Sequence, residues 1–398
     1  MKIFLAVLLL VVTNLANTSN YGTKEKDEKL YSKAIELSKK LLIIDTHIDI
    51  PYRLKNNWED ISQRTEGGHF DYPRAIEGGL NAAFMSIFIP ARYEKEGGSV
   101  ELADSLIDLV EKLAKDYPDK FVLAHSSNDV TDQFSPNRIS FPLGMENGTP
   151  IQNSFENLKH FYDRGVRYIT LAHGEANHIC DSSYDPNKKW NGLSPFGKTL
   201  IPEMNKLGIM VDISHVSDST FYQVLELTNA PVIASHSSCR HFTPGFERNM
   251  NNDMIKKLAE NNGVIQITFG SYFVSGDYNS KMKEMSDYLK EHSIGRWSEK
   301  GKKYYEKFKE ENNIDHGTTE DIANHIDHVV KLVGIEHVGL GSDFDGIGAL
   351  PFGVKDVSSF PEIIYELLKK DYSEDDIKKI CSENILRVWK EVEEILKK

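Results

Sequence analysis

Histidine and carboxylate residues recur in this sequence directly after short apolar runs. The first run, Leu41-Leu-Ile-Ile, leads into His47 and Asp49. Side chains two residues apart on a strand point to the same face, so this pair could supply a nitrogen and an oxygen ligand to one metal ion. Later apolar runs end in Glu146, His173, His215, His236 and Asp343, with Asp345 two residues further on.

This set of residue types is typical of a metal-dependent hydrolase. Three imidazoles and two carboxylates within reach of one another favour zinc over manganese, cobalt or iron. A carboxylate that bridges two metal ions about 3.5–4 Å apart suits hydrolysis by a shared hydroxide. Taken singly, a histidine at a strand end more often forms a hydrogen bond in the core, and an acid before Asn or Gly usually serves a turn. Six of eight apolar runs end in such residues, however, and packing does not require that coincidence.

Other ionisable residues are predicted to have supporting or solvated roles. Asp45 and Asp212 stand two and three residues before His47 and His215, where they can hold the strand ends through hydrogen bonds. The remaining histidines in predicted loops and helices are expected to be solvated: His125, His160, His178, His241, His316, His325, His328 and His337.

Eight β-branched-rich segments are predicted to be the strands that position these residues. They are Leu41–Asp49, Asn81–Pro90, Ile139–Glu146, Val166–His173, Gly208–His215, Ala230–His236, Gly263–Phe269 and His337–Asp343. Amphipathic segments separate them: Val100–Tyr117, Ile151–Arg164, Ser194–Leu207, Asp218–Thr228, Asn252–Asn261 and Thr319–Val333. Strands that alternate with helices predict a parallel sheet, and eight such units predict an α/β fold of the (β/α)8 TIM-barrel type. In that fold the carboxyl ends of all strands meet on one face, which would bring the polar residues together.

Further segments surround this predicted barrel. A helix over Lys24–Lys40 precedes the first strand, and Pro51–Gly79 is expected to be an irregular loop over the barrel mouth. The connection Gly270–Thr318, after the seventh strand, has a helical composition over 281–292 and 302–312 and predicts a long helical insertion. Helices are also predicted at the C-terminus, over Phe360–Lys370, Asp375–Cys381 and Ser382–Lys397.

Composition and the termini narrow the class of protein. The net charge is −13 over 398 residues, with no basic patch interleaved with aromatics, so nucleic acid is not an expected partner. Lys2 and the apolar run Ile3–Val12 are typical of a secretory signal peptide, predicted over residues 1–20, and indicate a secreted or periplasmic protein. The C-terminus has no hydrophobic tail, so no membrane anchor is expected. Three cysteines predict ordinary packing or one disulfide bridge.

Six segments of the chain resemble those of one known family. In order they are D-T-H-I-D-I-P, G-M-E-N-G, L-A-H-G, D-I-S-H-V-S, P-V-I-A-S-H-S-S and V-G-L-G-S-D-F-D-G. They are similar to the renal or membrane dipeptidases, peptidase family M19 of the amidohydrolase superfamily. The resemblance runs from about Leu41 to the C-terminal helices and implies a single metal-dependent dipeptidase domain over residues 21–398.

The resemblance also implies a role for each matching residue. His47 and Asp49 would bind one zinc ion, His215 and His236 a second, and Glu146 would bridge the two. His173 would contact the substrate carbonyl and the tetrahedral intermediate, and Asp343 would shuttle the proton. Arg248 would bind the C-terminal carboxylate of a dipeptide substrate, although Arg240 lies nearby in the sequence.

Three alternatives remain open from the sequence. Another metal-dependent amidohydrolase, acting on β-lactams, acyl-amino acids or phosphoesters, would keep the site and change the substrate. A metal-free TIM-barrel glycosidase would use Glu146 and Asp343 as its carboxylate pair. A binding protein that kept the fold without catalysis is the third. The sequence also allows a homodimer.

Overall fold

Eight parallel strands close into a barrel, as predicted. The computed structural model describes residues 26–296 and 298–395. Its ten strands within these residues are β1 (Ile44–Ile48), β2 (Ala82–Phe88), β3 (Phe121–Leu123), β4 (Ile139–Phe141), β5 (Leu143–Glu146), β6 (Val166–Thr170), β7 (Met210–Asp212), β8 (Ile233–Ser237), β9 (Val264–Ile267) and β10 (Val338–Leu340). The barrel order is β1-β2-β5-β6-β7-β8-β9-β10, and every pairing is parallel.

The barrel closes where the last strand meets the first. The Asp343 amide donates to the His47 carbonyl at 3.0 Å, and the Asp49 amide donates to the Phe344 carbonyl at 2.9 Å. His47, Asp49 and Asp343, which the sequence proposes for the site, therefore also close the barrel. Their backbone hydrogen bonds hold the end of β1 against the segment that follows β10.

Helices surround the barrel and occupy most of its connections. Within the described residues they are α1 (Glu28–Lys40), α2 (Ile50–Asn56), α3 (Tyr72–Gly78), α4 (Tyr93–Glu96), α5 (Ser99–Asp116), α6 (Ser127–Asp132), α7 (Phe155–Asp163), α8 (Pro195–Leu207), α9 (Asp218–Leu227), α10 (Asn252–Glu260), α11 (Ser271–Val274), α12 (Gly276–Glu291), α13 (Glu299–Glu311), α14 (Thr319–Val333), α15 (Phe360–Lys369), α16 (Glu374–Lys378) and α17 (Asn384–Ile395). Among the described residues, no helix is both long and apolar enough to cross a membrane.

The C-terminal helix α17 closes the end of the barrel opposite the site. Its fully buried Trp389 lies 5.2 Å from the Phe84 ring, among residues at the amino ends of the strands such as Ile44 and Val264. This large side chain fills the amino end of the barrel with apolar surface. A π-helical turn at Lys379–Glu383 connects α16 to α17, where two separate helices were expected.

The predicted third strand, Ile139–Glu146, was wrong as a single element. Pro142 divides it into β4 and β5, because proline has no amide hydrogen to donate to a neighbouring strand. The Pro142 carbonyl still accepts the Met85 amide at 2.8 Å. β5 lies in the barrel order between β2 and β6, while β4 pairs with β2 and with β3, a strand that the sequence analysis did not identify.

Two further expectations need correction. The connection Pro51–Gly79, expected to be irregular, contains helices α2 and α3. His325, expected to be solvated, is fully buried on α14, where its Nδ1 accepts the Cys239 amide at 3.0 Å. The three cysteines are all buried and free, so packing and not a disulfide accounts for them.

The insertion after β9 forms helices α11, α12 and α13. Helices α12 and α13 share a small apolar core made by Tyr278, Met282, Met285, Leu289 and Phe308. This core is separate from the main one, so the insertion has its own internal packing and can present a face to the barrel mouth.

Candidate metal centre

Imidazoles from three separate strand ends converge on the carboxylate of Glu146. Glu146 Oε1 lies 3.2 Å from His215 Nε2 and 3.3 Å from His236 Nε2. Its other oxygen, Oε2, lies 3.5 Å from His47 Nε2. Glu146 is the last residue of β5, His47 lies in β1 and His236 in β8, so the carboxyl ends of the parallel strands bring these groups together.

Two more carboxylates stand beside His47. Asp49 Oδ2 lies 3.4 Å from His47 Nε2, and Asp343 belongs to the same cluster of ligand-type atoms. Gly346 makes room for both acids, because a Cβ atom at that position would lie 2.2 Å from Asp49 Oδ2 and 2.4 Å from Asp343 Oδ1. The glycine of the S-D-F-D-G segment is thus required for the close approach of the two carboxylates.

His215 and Asp343 are held in an unusual backbone conformation. Their φ angles are 69° and 65°, in the left-handed region that residues other than glycine rarely adopt. Such residues are found preferentially at functional sites, where the surrounding structure holds them in place. Here the conformation turns each side chain back toward Glu146 and His47.

The buried atoms of this cluster fit a bound cation. His47 Nε2 and Asp49 Oδ1 are buried, and neither has a hydrogen-bond partner among the described residues. His215 Nε2 and His236 Nε2 lie only 2.8 Å apart. Unpartnered buried donors and acceptors are rare, and nitrogen and oxygen ligands that converge in this way are typical of sites for divalent transition metals. All five ligands proposed from the sequence therefore fall in three overlapping groups of ligand atoms, joined through His47 and Glu146: His47, Asp49, Glu146, His215 and His236.

Electrostatic interactions keep Glu146 ionised. Burial alone would raise the pKa of the Glu146 carboxyl. Four histidines instead hold that pKa well below its usual range: His47, His173, His215 and His236. The net shift is opposite for Asp343, because burial raises its pKa well above the ordinary value, with Asp49 and Glu146 acting in the same direction. One acid is thus stabilised as an anion, and the other has a higher proton affinity.

His173 and Arg248 lie beside the cluster. His173 Nε2 is 3.6 Å from Glu146 Oε1, and its side chain is 28% exposed at the cavity wall. Arg248 is buried, and its guanidinium donates to Ser237 Oγ at 2.7 Å and to the His236 carbonyl at 2.6 Å. Arg240, the neighbour considered in the sequence, instead pairs with Asp218 at 2.6 Å.

Hydrogen bonds from the barrel interior orient the histidine rings. The Tyr168 hydroxyl donates to the Thr46 carbonyl at 3.0 Å and so accepts the Nδ1 hydrogen of His47 at 2.8 Å. Ser235 Oγ donates to Asp212 at 2.6 Å and accepts from His236 Nδ1 at 2.8 Å. In both rings the Nε2 lone pair is left to face the cluster.

The predicted support by Asp45 and Asp212 is confirmed. Asp45 Oδ1 accepts the amides of His47 and Ser342, at 3.1 and 2.9 Å, and so connects β1 to the end of β10. Asp212 accepts the Ser235 amide at 2.8 Å. Tyr168 was missed, although it alternates with Thr170 along β6, and a tyrosine that points into a barrel needs a partner for its hydroxyl.

Replacing Tyr168 with phenylalanine is expected to weaken metal binding by about tenfold to a hundredfold without unfolding the protein. The change removes the acceptor that fixes His47, so the imidazole loses its preferred tautomer and orientation. Competition with a chromophoric chelator measures the affinity. Tyr72→Phe is the matched control, because its hydroxyl donates to the Asn137 carbonyl outside the site at 2.9 Å. Equal affinity in the two variants would contradict a positioning role for Tyr168.

A cavity of about 1110 Å³ opens over the cluster. Glu146, His173, His215 and Asp343 form part of its lining, together with Asp49. The aromatic residues Phe88, Tyr184, Tyr272 and Phe273 line the same space, and the sequence analysis did not identify them. A largely apolar cavity with a few convergent polar groups is the usual form of a site for a small molecule.

Comparison with known proteins agrees with this geometry. The family model described as membrane dipeptidase, peptidase family M19, matches residues 31–398. The dipeptidase verJ of Clonostachys rogersoniana is 34% identical over 379 residues, which covers 92% of this chain and 87% of the relative. The dipeptidase aclJ of Aspergillus oryzae is 35% identical over 335 residues, covering 82% and 71%.

Solved structures show the same fold. The probable dipeptidase PvdM from Pseudomonas aeruginosa superposes with a TM-score of 0.82 at 25% identity, over 93% of this chain and 100% of the other. A metallo peptidase from Rhodobacter sphaeroides superposes with a TM-score of 0.73 at 22% identity, over 88% and 99%. The barrel, the cluster around Glu146 and the match over residues 31–398 lead to one conclusion: the chain belongs to peptidase family M19, the membrane dipeptidases, and is a metal-dependent dipeptidase of that family.

Proposed function

We propose that this chain hydrolyses the peptide bond of dipeptides with two zinc ions as its cofactor. His47 and Asp49 would hold one ion, His215 and His236 the other, and Glu146 both. The observation that carries the proposal is the convergence of three imidazoles on one carboxylate, at 3.2 to 3.5 Å, with unpartnered ligand atoms beside it. Nitrogen-rich ligand sets of this kind favour zinc.

The residues around the ions have distinct proposed roles. When bound, the metal pair supplies a nucleophilic hydroxide at neutral pH and polarises the substrate carbonyl. Asp343, which lines the cavity beside His47 and Asp49, takes a proton from the nucleophile and returns it to the leaving amine. His173, at the cavity wall, donates to the oxyanion.

Arg248 is proposed to bind the C-terminal carboxylate of the dipeptide. Its guanidinium is already fixed by Ser237 and the His236 carbonyl, and its Nε has no hydrogen-bond partner among the described residues. A planar guanidinium held in this way matches a carboxylate. It would place the scissile bond relative to the ions, because the same arginine contacts the strand that carries His236.

Dipeptides are favoured over other substrates of the same site. The Rhodobacter sphaeroides structure is described as liganded with a phosphinate mimic of the dipeptide L-Ala-D-Ala, which supports a dipeptide here. β-Lactams and acyl-amino acids remain the second candidates, since they need the same ions. A metal-free glycosidase and a non-catalytic binding protein are inconsistent with membership of a metallo-dipeptidase family.

The predictions about the N-terminus and assembly stay predictions. The signal peptide over residues 1–20 lies outside the described residues, and secretion or export to a periplasm follows from it alone. One domain over residues 21–398 and a homodimer are likewise proposals.

Metal removal tests the proposed function. The purified protein is expected to contain about two zinc ions per chain, to lose dipeptide hydrolysis on chelation and to regain it when zinc is returned. Elemental analysis and turnover of L,L and L,D dipeptides, beside a β-lactam and an N-acyl amino acid, measure this. Full activity after exhaustive chelation would refute the metal mechanism, and faster turnover of the non-peptide compounds would reassign the substrate.

A further inference from the structure

The helical insertion forms the outer wall of the substrate cavity. Tyr278, Met282 and Ser286 recur at every fourth position of α12 and line the cavity as one stripe. Lys302 and Tyr305, three residues apart on α13, line it as well. The face that the insertion turns to the barrel mouth is therefore part of the cavity.

The charges that line this cavity are unevenly distributed. Its four lining acids lie on the barrel side: Asp49, Glu146, Asp343 and Asp345. The first three belong to the proposed metal centre, where bound cations would neutralise them. Asp345 is engaged by Arg53, whose Nε lies 3.4 Å from its Oδ2. No acid among the described lining residues is left to balance Lys302.

The outer wall carries two cations, Lys302 and Arg296. Lys302 forms no ion pair with another described residue, whereas the adjacent Lys303 pairs with Glu299 at 2.9 Å. Burial raises the pKa of Tyr272 and of Tyr278, and the charge of Arg296 acts against that rise at both hydroxyls. In a chain with a net charge of −13, this is a locally positive wall.

The size of the cavity leaves room for a substrate side chain to reach that wall. About 1110 Å³ is slightly above the usual range for small-molecule sites and is more than a dipeptide of small residues would fill. Tyr278, Met282 and Tyr305 supply an apolar surface on the same wall as the cations. A side chain with a methylene stem and an anionic end matches this combination of surfaces.

We propose that the insertion selects dipeptides with an acidic side chain, whose carboxylate is bound by Lys302 with Arg296 beside it. This inference rests on the proposed function, because it names the substrate class of the same site. Aspartyl and glutamyl dipeptides would gain a charge-assisted contact that their amide isosteres lack. The experiment below shows whether the acidic side chain belongs to the first or the second residue of the dipeptide.

The test compares isosteric pairs on the zinc-loaded full-length protein. The pairs are Glu-Ala with Gln-Ala and Ala-Glu with Ala-Gln, and Ala-Ala serves as the neutral reference. We expect kcat/KM to be about tenfold higher for the acidic member of at least one pair, as one partly exposed charge-assisted contact provides. Lys302→Glu should abolish or invert this ratio. Lys303→Glu, one residue away and outside the cavity lining, should leave the ratio and Ala-Ala turnover unchanged.

Each other outcome has a single meaning. Equal rates within both pairs, with Ala-Ala hydrolysed, would overturn the inference and leave the proposed function intact. A preference that persists in Lys302→Glu, or that Lys303→Glu removes equally, would overturn the assignment to Lys302. Failure of the zinc-loaded protein to hydrolyse any of the five dipeptides would refute the proposed function, and the inference with it.

Discussion

Asp343→Asn is expected to lower kcat by about a thousandfold while metal content stays unchanged. An amide of the same shape cannot take a proton from the nucleophile or return it to the leaving amine. Dipeptide turnover and elemental analysis of the same purified variant measure the two quantities.

The alternative role for Asp343 is that of a metal ligand. Its carboxylate shares a cluster with His47 and Asp49 in which ligand atoms lie within 4.8 Å of one another. Loss of one metal ion together with activity would therefore make Asp343 a ligand and remove it as the proton carrier. Asp253→Asn, on an exposed acid that accepts from Tyr222 at 2.7 Å, controls for the loss of one negative charge.

Glu146→Gln is expected to remove most of the bound metal and to lower activity by at least about a thousandfold. The carboxylate is the shared neighbour of His47, His215 and His236, at 3.5, 3.2 and 3.3 Å. Glutamine keeps the volume but supplies no charge to offset two divalent ions, and it offers one oxygen in place of two. Both proposed ions should therefore be weakened by a single substitution.

The control for Glu146 is a half-buried acid that contacts a histidine. Glu94 accepts the His178 amide at 2.9 Å and lies 3.1 Å from its Nδ1, away from the metal cluster. Glu94→Gln should retain both metal and turnover. If Glu146→Gln kept about two zinc ions per chain, as wild type is expected to do, Glu146 would not be the bridging ligand.

The barrel and the members of the metal cluster could be predicted from the sequence because both follow from local patterns. Apolar β-branched runs that alternate with amphipathic segments indicate parallel strands, and a (β/α)8 barrel gathers the residues after those runs on one face. His47, Glu146, His215 and His236 needed no other information to be proposed as neighbours. The break of the third strand was also readable in principle, since Pro142 lies at its centre.

The arrangement within the site depended on tertiary structure. Tyr168 orients His47 across 121 residues of chain, and Gly346 makes room for Asp49 and Asp343. Such contacts are set by barrel register and ring orientation, which a linear pattern does not contain. The face of the insertion is the clearest case. Composition predicted its helices, but only packing against the barrel mouth decided that Lys302 lines the cavity while Lys303 does not.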